Sequence, residues 1–143
     1  MKKDLIAVRN IKIQSSPEKV WKVLTDPEDI KKYLFGTQVK TNWKVGSPII
    51  FQGEYDGQKY IDKGNVIENK ENKLLKYDYW SGFFGLEDKL DNYSLVTYKI
   101  EKLNEHSINL IWHQQGFSSE EGQKHTKEDL SRILNLIKEL AER

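Results

Sequence analysis

The stretch Ile11-Lys12-Ile13-Gln14-Ser15-Ser16-Pro17-Glu18-Lys19-Val20-Trp21-Lys22-Val23-Leu24-Thr25-Asp26-Pro27 changes its apolar spacing midway, and the fold follows from that change. Ile11 and Ile13 alternate with Lys12 and Gln14, as in a strand with one buried face. At Ser16-Pro17-Glu18 the chemistry becomes that of a helix start. A hydroxyl can accept from an orphan N–H, a proline ring already holds the φ of the first helical position, and a carboxylate is favoured by the helix dipole. Val20, Trp21 and Leu24 then form one apolar face. Asp26-Pro27-Glu28-Asp29 repeats the start signal at once, which predicts a second short helix carrying Ile30, Tyr33 and Leu34 and stopping near Gly36. Toward the N-terminus, Ile6 and Val8 alternate out of phase with Ile11 and Ile13, so a strand over 5–14 predicts a bulge or twist near Arg9-Asn10.

From Val39 onward the period is two, punctuated by turn residues. Ile49, Phe51 and Tyr55 share a parity, Asp56-Gly57 is a hairpin signal, and a strand over 58–69 puts Tyr60, Asp62, Gly64 and Val66 in phase. Lys70-Glu71-Asn72 makes another turn before Leu75, Tyr77 and Tyr79, and the rhythm breaks into a loop over 81–92. A final hairpin over 93–102 and 107–115 aligns Val96, Tyr98 and Ile100 with Ile108, Leu110 and Trp112. Leu130, Ile133, Leu134, Ile137 and Leu140 recur at three and four, as in a long amphipathic helix. Ser118 and Glu121 fit a capping box, with Gly122 delaying the regular helix to about Lys124. The order predicts an α+β fold: a curved antiparallel sheet wrapped around a long C-terminal helix, with two short helices after the first strand. One helix ~10 Å wide does not fill the hollow of a strongly curved sheet, so an enclosed gap is expected beneath it. Gaps of this kind become ligand pockets.

At 143 residues the chain has the size of one domain, spanning 1–143. Hydrophobic residues make up 37% and aromatic residues 11%, enough for a folded core and too many for a disordered, charge-rich chain. Lys+Arg 23 against Asp+Glu 22, without long blocks of either sign, lacks the footprint of a nucleic-acid binder. With no cysteine there is no disulfide, thiolate metal site or cysteine nucleophile. Charged residues interrupt any signal-like apolar run near the start, and no stretch approaches ~18 uninterrupted apolar residues, so neither secretion nor membrane association is expected and cytoplasmic residence is the default.

The 11–27 stretch, with Val45-Gly46 before the Phe51 strand, Gly64-Asn65-Val66-Ile67-Glu68 before Leu74-Leu75-Lys76-Tyr77, and the terminal Leu130, Leu134, Ile137 and Leu140, resembles the START-like (SRPBCC) superfamily. More narrowly, it is similar to the family named for the activator of the heat-shock protein 90 ATPase. The likeness covers nearly the whole chain and departs at Tyr33-Leu34-Phe35, where that family often has tandem tryptophans. The resemblance implies a helix-grip domain of bacterial type with an internal hydrophobic cavity. It does not imply one chemistry, because this scaffold hosts binders, carriers, cyclases and chaperone cofactors.

Side-chain chemistry points to binding before catalysis. His106, His113 and His125 lack metal-ligand spacing, and no phosphate loop, dinucleotide fingerprint or nucleophile elbow is present, so neither metal nor cofactor is expected. The charges of 87–91 read as a solvated loop. Asp62 shares the phase of Tyr60 and Val66; a concave face there would carry its carboxylate into an apolar chamber, whereas a strand end would leave it in water. Phe51, Tyr60, Tyr77, Tyr79, Tyr98 and Trp112 fall on the inward phase, Tyr33, Trp43 and Phe117 are candidates for an entrance, and Leu134 and Ile137 line the helix side. Buried phenols need partners, so several of them suit a wet or ligand-holding cavity, and Tyr77→Phe is expected to spare folding. The function expected is the binding of a small hydrophobic or amphipathic molecule. The alternatives are a protein-interaction module, which the mixed outward residues Ile50, Gln52, Glu54, Ile61, Lys63 and Asn65 do not favour, and a cyclase- or hydrolase-type enzyme, for which Asp62 with tyrosines is the only acid–base material.

Overall fold

Ser16 Oγ accepts from the Lys19 N–H at 3.2 Å and starts helix α1, Pro17–Thr25. Asp26 closes that helix and caps the next, its carboxylate accepting from the Glu28 N–H at 2.9 Å to start α2, Pro27–Tyr33. Two short helices joined at a kink follow directly from the doubled start signal. In the computed structural model, which describes residues 1–143, they are preceded by strand β1, Lys2–Ile13. The strands that follow are β2 (Gln38–Lys40), β3 (Pro48–Tyr55), β4 (Gln58–Lys70), β5 (Leu74–Tyr79), β6 (Ser94–Asn104) and β7 (Ser107–Phe117), and helix α3 (Glu120–Ala141) ends the chain. The seven strands form one antiparallel sheet in the order β1-β7-β6-β5-β4-β3-β2.

Two local expectations are corrected. No bulge interrupts β1 at Arg9-Asn10: its register with β7 runs unbroken from Ile6 opposite Gln115 to Ile13 opposite Ile108, and the irregularity lies between Lys2 and Ile6. Leu5, Ala7, Ile11 and Ile13 share the inward phase, while Ile6 and Val8 face outward. An exposed Arg9 sits in the inward phase and hides its continuity. The cap of α3 is Ser119, whose Oγ accepts from the Gly122 N–H at 3.0 Å, so regular helix begins at Glu120 despite the glycine.

The sheet bends at Gly64. A Cβ there would lie 1.9 Å from the Asp78 carbonyl oxygen, so only glycine lets the end of β5 close on β4. The bend is held by reciprocal backbone hydrogen bonds between Lys63 and Trp80, and the register shifts between Val66 and Glu68. In the Asp56-Gly57 turn both residues have positive φ, 51° and 79°, as a tight hairpin requires. Helix α3 packs on β1, α1, α2 and β7, burying Leu130, Ile133, Leu134, Ile137 and Ala141 against the concave face.

Candidate functional site

The first half of α3 stands over the bent part of the sheet, and a cleft of about 560 Å³ lies between them. Gly122, Thr126, Asp129, Leu130 and Ile133 form its helical wall. Its floor is the inward phase of five strands: Phe51, Tyr60, Asp62, Tyr77, Tyr79, Val96, Trp112, Gln114 and Phe117. Antiparallel register makes neighbours of these residues, with Phe51 opposite Asp62, Tyr77 opposite Val96, and Val96 opposite Gln114. Leu34 and Thr37 follow α2 at one side, and Ser81, Phe83 and Phe84 come from the loop after β5.

Seven residues singled out by sequence therefore meet here: Phe51, Tyr60, Asp62, Tyr77, Tyr79, Trp112 and Phe117. Five others lie outside the cleft walls. Tyr33 is buried between the short helices and donates to the Leu24 carbonyl at 2.9 Å. Trp43 donates through Nε1 to the Thr25 carbonyl at 3.0 Å, tying the loop after β2 to α1. Tyr98 is buried beside the wall, its hydroxyl 2.8 Å from that of Tyr77. Leu134 and Ile137 fall on the second half of α3, where it is packed onto the core. Sequence reasoning passed over Phe83, Phe84, Ser81 and Thr126 as wall residues. The aromatic pair Phe83-Phe84, inside a segment read as a loop, was the one signal available; Ser81 and Thr126 carried none.

The cleft is open to solvent, unlike the enclosed hollow expected. Tyr55 and Phe83 frame its mouth, 71% and 63% exposed, with ring centroids 6.4 Å apart and edge-on. Tyr60 packs edge-on against the same Phe83 ring. A Cβ at position 53 would stand 2.6 Å from the Tyr60 hydroxyl, so Gly53 opposite leaves room for this side chain to reach Thr37 at 2.6 Å. Because Thr37 gives its own proton to the Leu34 carbonyl, Tyr60 is the donor in that pair.

Asp62 is 5% exposed and accepts from the Tyr79 hydroxyl. Burial raises the Asp62 carboxyl above the ordinary carboxylate range, against the opposing pull of the Tyr79 and Ser81 hydroxyls. Burial, and then the Asp62 charge, hold the Tyr79 phenol well above its ordinary value. The Tyr77 and Tyr98 phenols are raised chiefly by burial too. All three stay protonated at neutral pH; Tyr79 donates to Asp62, and one of Tyr77 and Tyr98 donates to the other. Around the carboxylate, the Tyr79 ring meets Phe51 and Phe84 edge-on, at 5.3 and 5.9 Å between centroids. Trp112 Nε1 is buried without a partner. No three His, Cys, Asp or Glu side chains converge as metal ligands, and no helix is long and apolar enough to cross a membrane. The acidic 87–91 loop pairs with cations in places: Asp88 meets Lys63 and accepts from Tyr93 at 2.6 Å.

The family model described as "Activator of Hsp90 ATPase homolog 1-like protein" matches residues 14–142. Among solved structures, the solution structure of ChR145 from Cytophaga hutchinsonii is 35% identical, with a TM-score of 0.82 over 99% of this chain and 97% of that one. The solution structure of the Aha1 dimer from Colwellia psychrerythraea is 16% identical, with a TM-score of 0.74 over 96% of each chain. DynU16, a putative protein in the dynemicin biosynthetic locus, shares the fold at 10% identity, with a TM-score of 0.75 over 95% of this chain and 46% of that one. No curated protein matches the chain.

Proposed function

The chain belongs to the Activator of Hsp90 ATPase homolog 1-like family, and from that premise we propose that it binds a small, partly hydrophobic molecule in the cleft beneath α3. The observation that carries this reading is the cleft itself. At about 560 Å³ it falls within the roughly 300–1,000 Å³ of small-molecule sites, and nine of its wall residues are aromatic. Phe51, Phe84, Trp112, Phe117, Leu130 and Ile133 supply apolar contact, while Tyr60, Tyr79 and Asp62 supply polar groups that orient the guest. On this reading residues 1–143 act as one binding unit and need no cofactor. A protein-docking role has less support, because the outward side of β3 and β4 mixes Ile50, Gln52, Lys63 and Asn65 at half-burial and leaves Ile61 as an isolated exposed apolar residue.

The test is a fluorescence titration with the neutral probe N-phenylnaphthylamine, on the unaltered chain and on Thr126→Trp. Thr126 is half-buried on the helical wall, so a larger side chain there narrows the cleft without entering the core. Saturable one-to-one binding, weakened about tenfold or more by Thr126→Trp at unchanged melting temperature, is the expected result. Absence of saturable binding, or equal affinity in the two chains, removes the proposal.

A further inference from the structure

We infer that the cleft selects an organic cation, a protonated amine on an apolar skeleton, over a carboxylate or a neutral molecule of the same shape. The inference rests on the proposed binding role and specifies its ligand class. Of the 21 residues lining the cleft, two are acidic, Asp62 and Asp129, and none is Lys, Arg or His. The chain as a whole is near balance at a formal net charge of +1, so the single sign inside is a local property of the cleft.

Asp62 is the centre of this argument. A carboxylate buried to this degree is ordinarily paired with a cation. Here its hydrogen-bonding partner is a hydroxyl, that of Tyr79, and no basic side chain forms a salt bridge with it. Lys63, next along β4, has the opposite strand phase and pairs with Asp88. Arg132, on the helix above, sets its guanidinium over the Phe35 ring at 4.9 Å. The cleft thus presents a buried carboxyl with no cationic partner, a place that the charge of a cationic guest would fill.

The surrounding rings suit the same guest. The Tyr79 ring, whose hydroxyl reaches the carboxylate, packs edge-on against Phe51 and Phe84, and all three line the cleft. Aromatic faces within about 6 Å attract a cation through their quadrupole and repel an anion. Asp129 at the exposed rim adds charge of the same sign on the approach path. A carboxylate guest would meet two like charges and no positive group, and the uncharged donors Tyr60, Gln114 and Trp112 Nε1 do not supply a counter-charge.

Three probes that share one ring system separate the possibilities: naphthylethylamine, naphthylethanol and naphthylacetate, titrated calorimetrically into the full chain at neutral pH. The expected order is amine, then alcohol, then acetate, with the amine about tenfold or more tighter than the alcohol. Asp62→Asn, which keeps shape and hydrogen-bonding capacity, is expected to narrow the gap between amine and alcohol. An amine no tighter than the alcohol, an acetate that binds as well as the amine, or a gap that survives Asp62→Asn overturns the cation preference while leaving cleft binding in place. Failure of all three probes to bind overturns the binding role and this inference together. The ranking on the unaltered chain decides the matter even if the variant does not fold.

Discussion

At the level of single residues, Tyr77 and Tyr98 behave as one unit. Their buried hydroxyls meet at 2.8 Å, so each provides the partner that burial demands of the other. The sequence reading that Tyr77→Phe spares folding is therefore replaced. Leaving the Tyr98 hydroxyl orphaned should cost about 1–3 kcal/mol, and the double substitution Tyr77→Phe/Tyr98→Phe should recover most of it, as urea unfolding of the two variants will report. Asp62 gives a pH signature. Its folded carboxyl sits above the ordinary value of 3.8, so the native state holds this proton more firmly than the unfolded chain does. The resulting stabilisation is complete below 3.8 and is lost as pH rises through the folded value, where a buried carboxylate must ionise. Asp62→Asn carries no such charge. It should unfold at higher urea than the parent at neutral pH, and the difference should shrink in acid. A difference that grows in acid instead contradicts the burial of this group. The inward phase of Asp62 was legible from its spacing with Tyr60 and Val66. Its burial was not, because spacing does not reveal which face of a strand is concave.

At the level of elements, the helix starts were the most legible features, since capping chemistry is local: Ser16, Asp26 and Ser119 each satisfy an orphan N–H within three residues. The misplaced α3 cap shows the limit of that logic, because Ser118 and Ser119 are chemically equivalent and the geometry at Gly122 chooses between them. Phase in β1 failed for another reason: one charged residue at an inward position, Arg9, is enough to break an alternation read from hydropathy. Helix α3 does two jobs along its length. Residues 120–133 wall the cleft with Thr126, Leu130 and Ile133, and residues 134–141 fill the core with Ile137, which is fully buried. Ile137→Ala should therefore destabilise the chain by about 2–5 kcal/mol in thermal unfolding while leaving probe affinity in the cleft nearly intact at low temperature. A large loss of affinity from a still-folded Ile137→Ala chain contradicts this division of the helix.

At the level of the whole molecule, the order of strands, helices and turns follows from sequence because each signal is carried by neighbours in the chain: period, cap and turn chemistry. The inward aromatic set followed from the same alternation, which is why seven of the candidate residues converge on the cleft. Depth did not. Tyr77 and Tyr98 are indistinguishable as strand residues, yet one lines the cleft and the other does not, because where the helix meets the sheet is set by packing between elements far apart in the chain. Nor could spacing foresee that Ser81, Phe84 and Thr126, distant in the chain, would face Asp62 across one space. The sequence by itself determined which elements form and which side of each is apolar, since those depend on contacts a few residues apart. Only the tertiary structure decided where the elements fail to touch, because a cleft is a property of surfaces that no single segment contains.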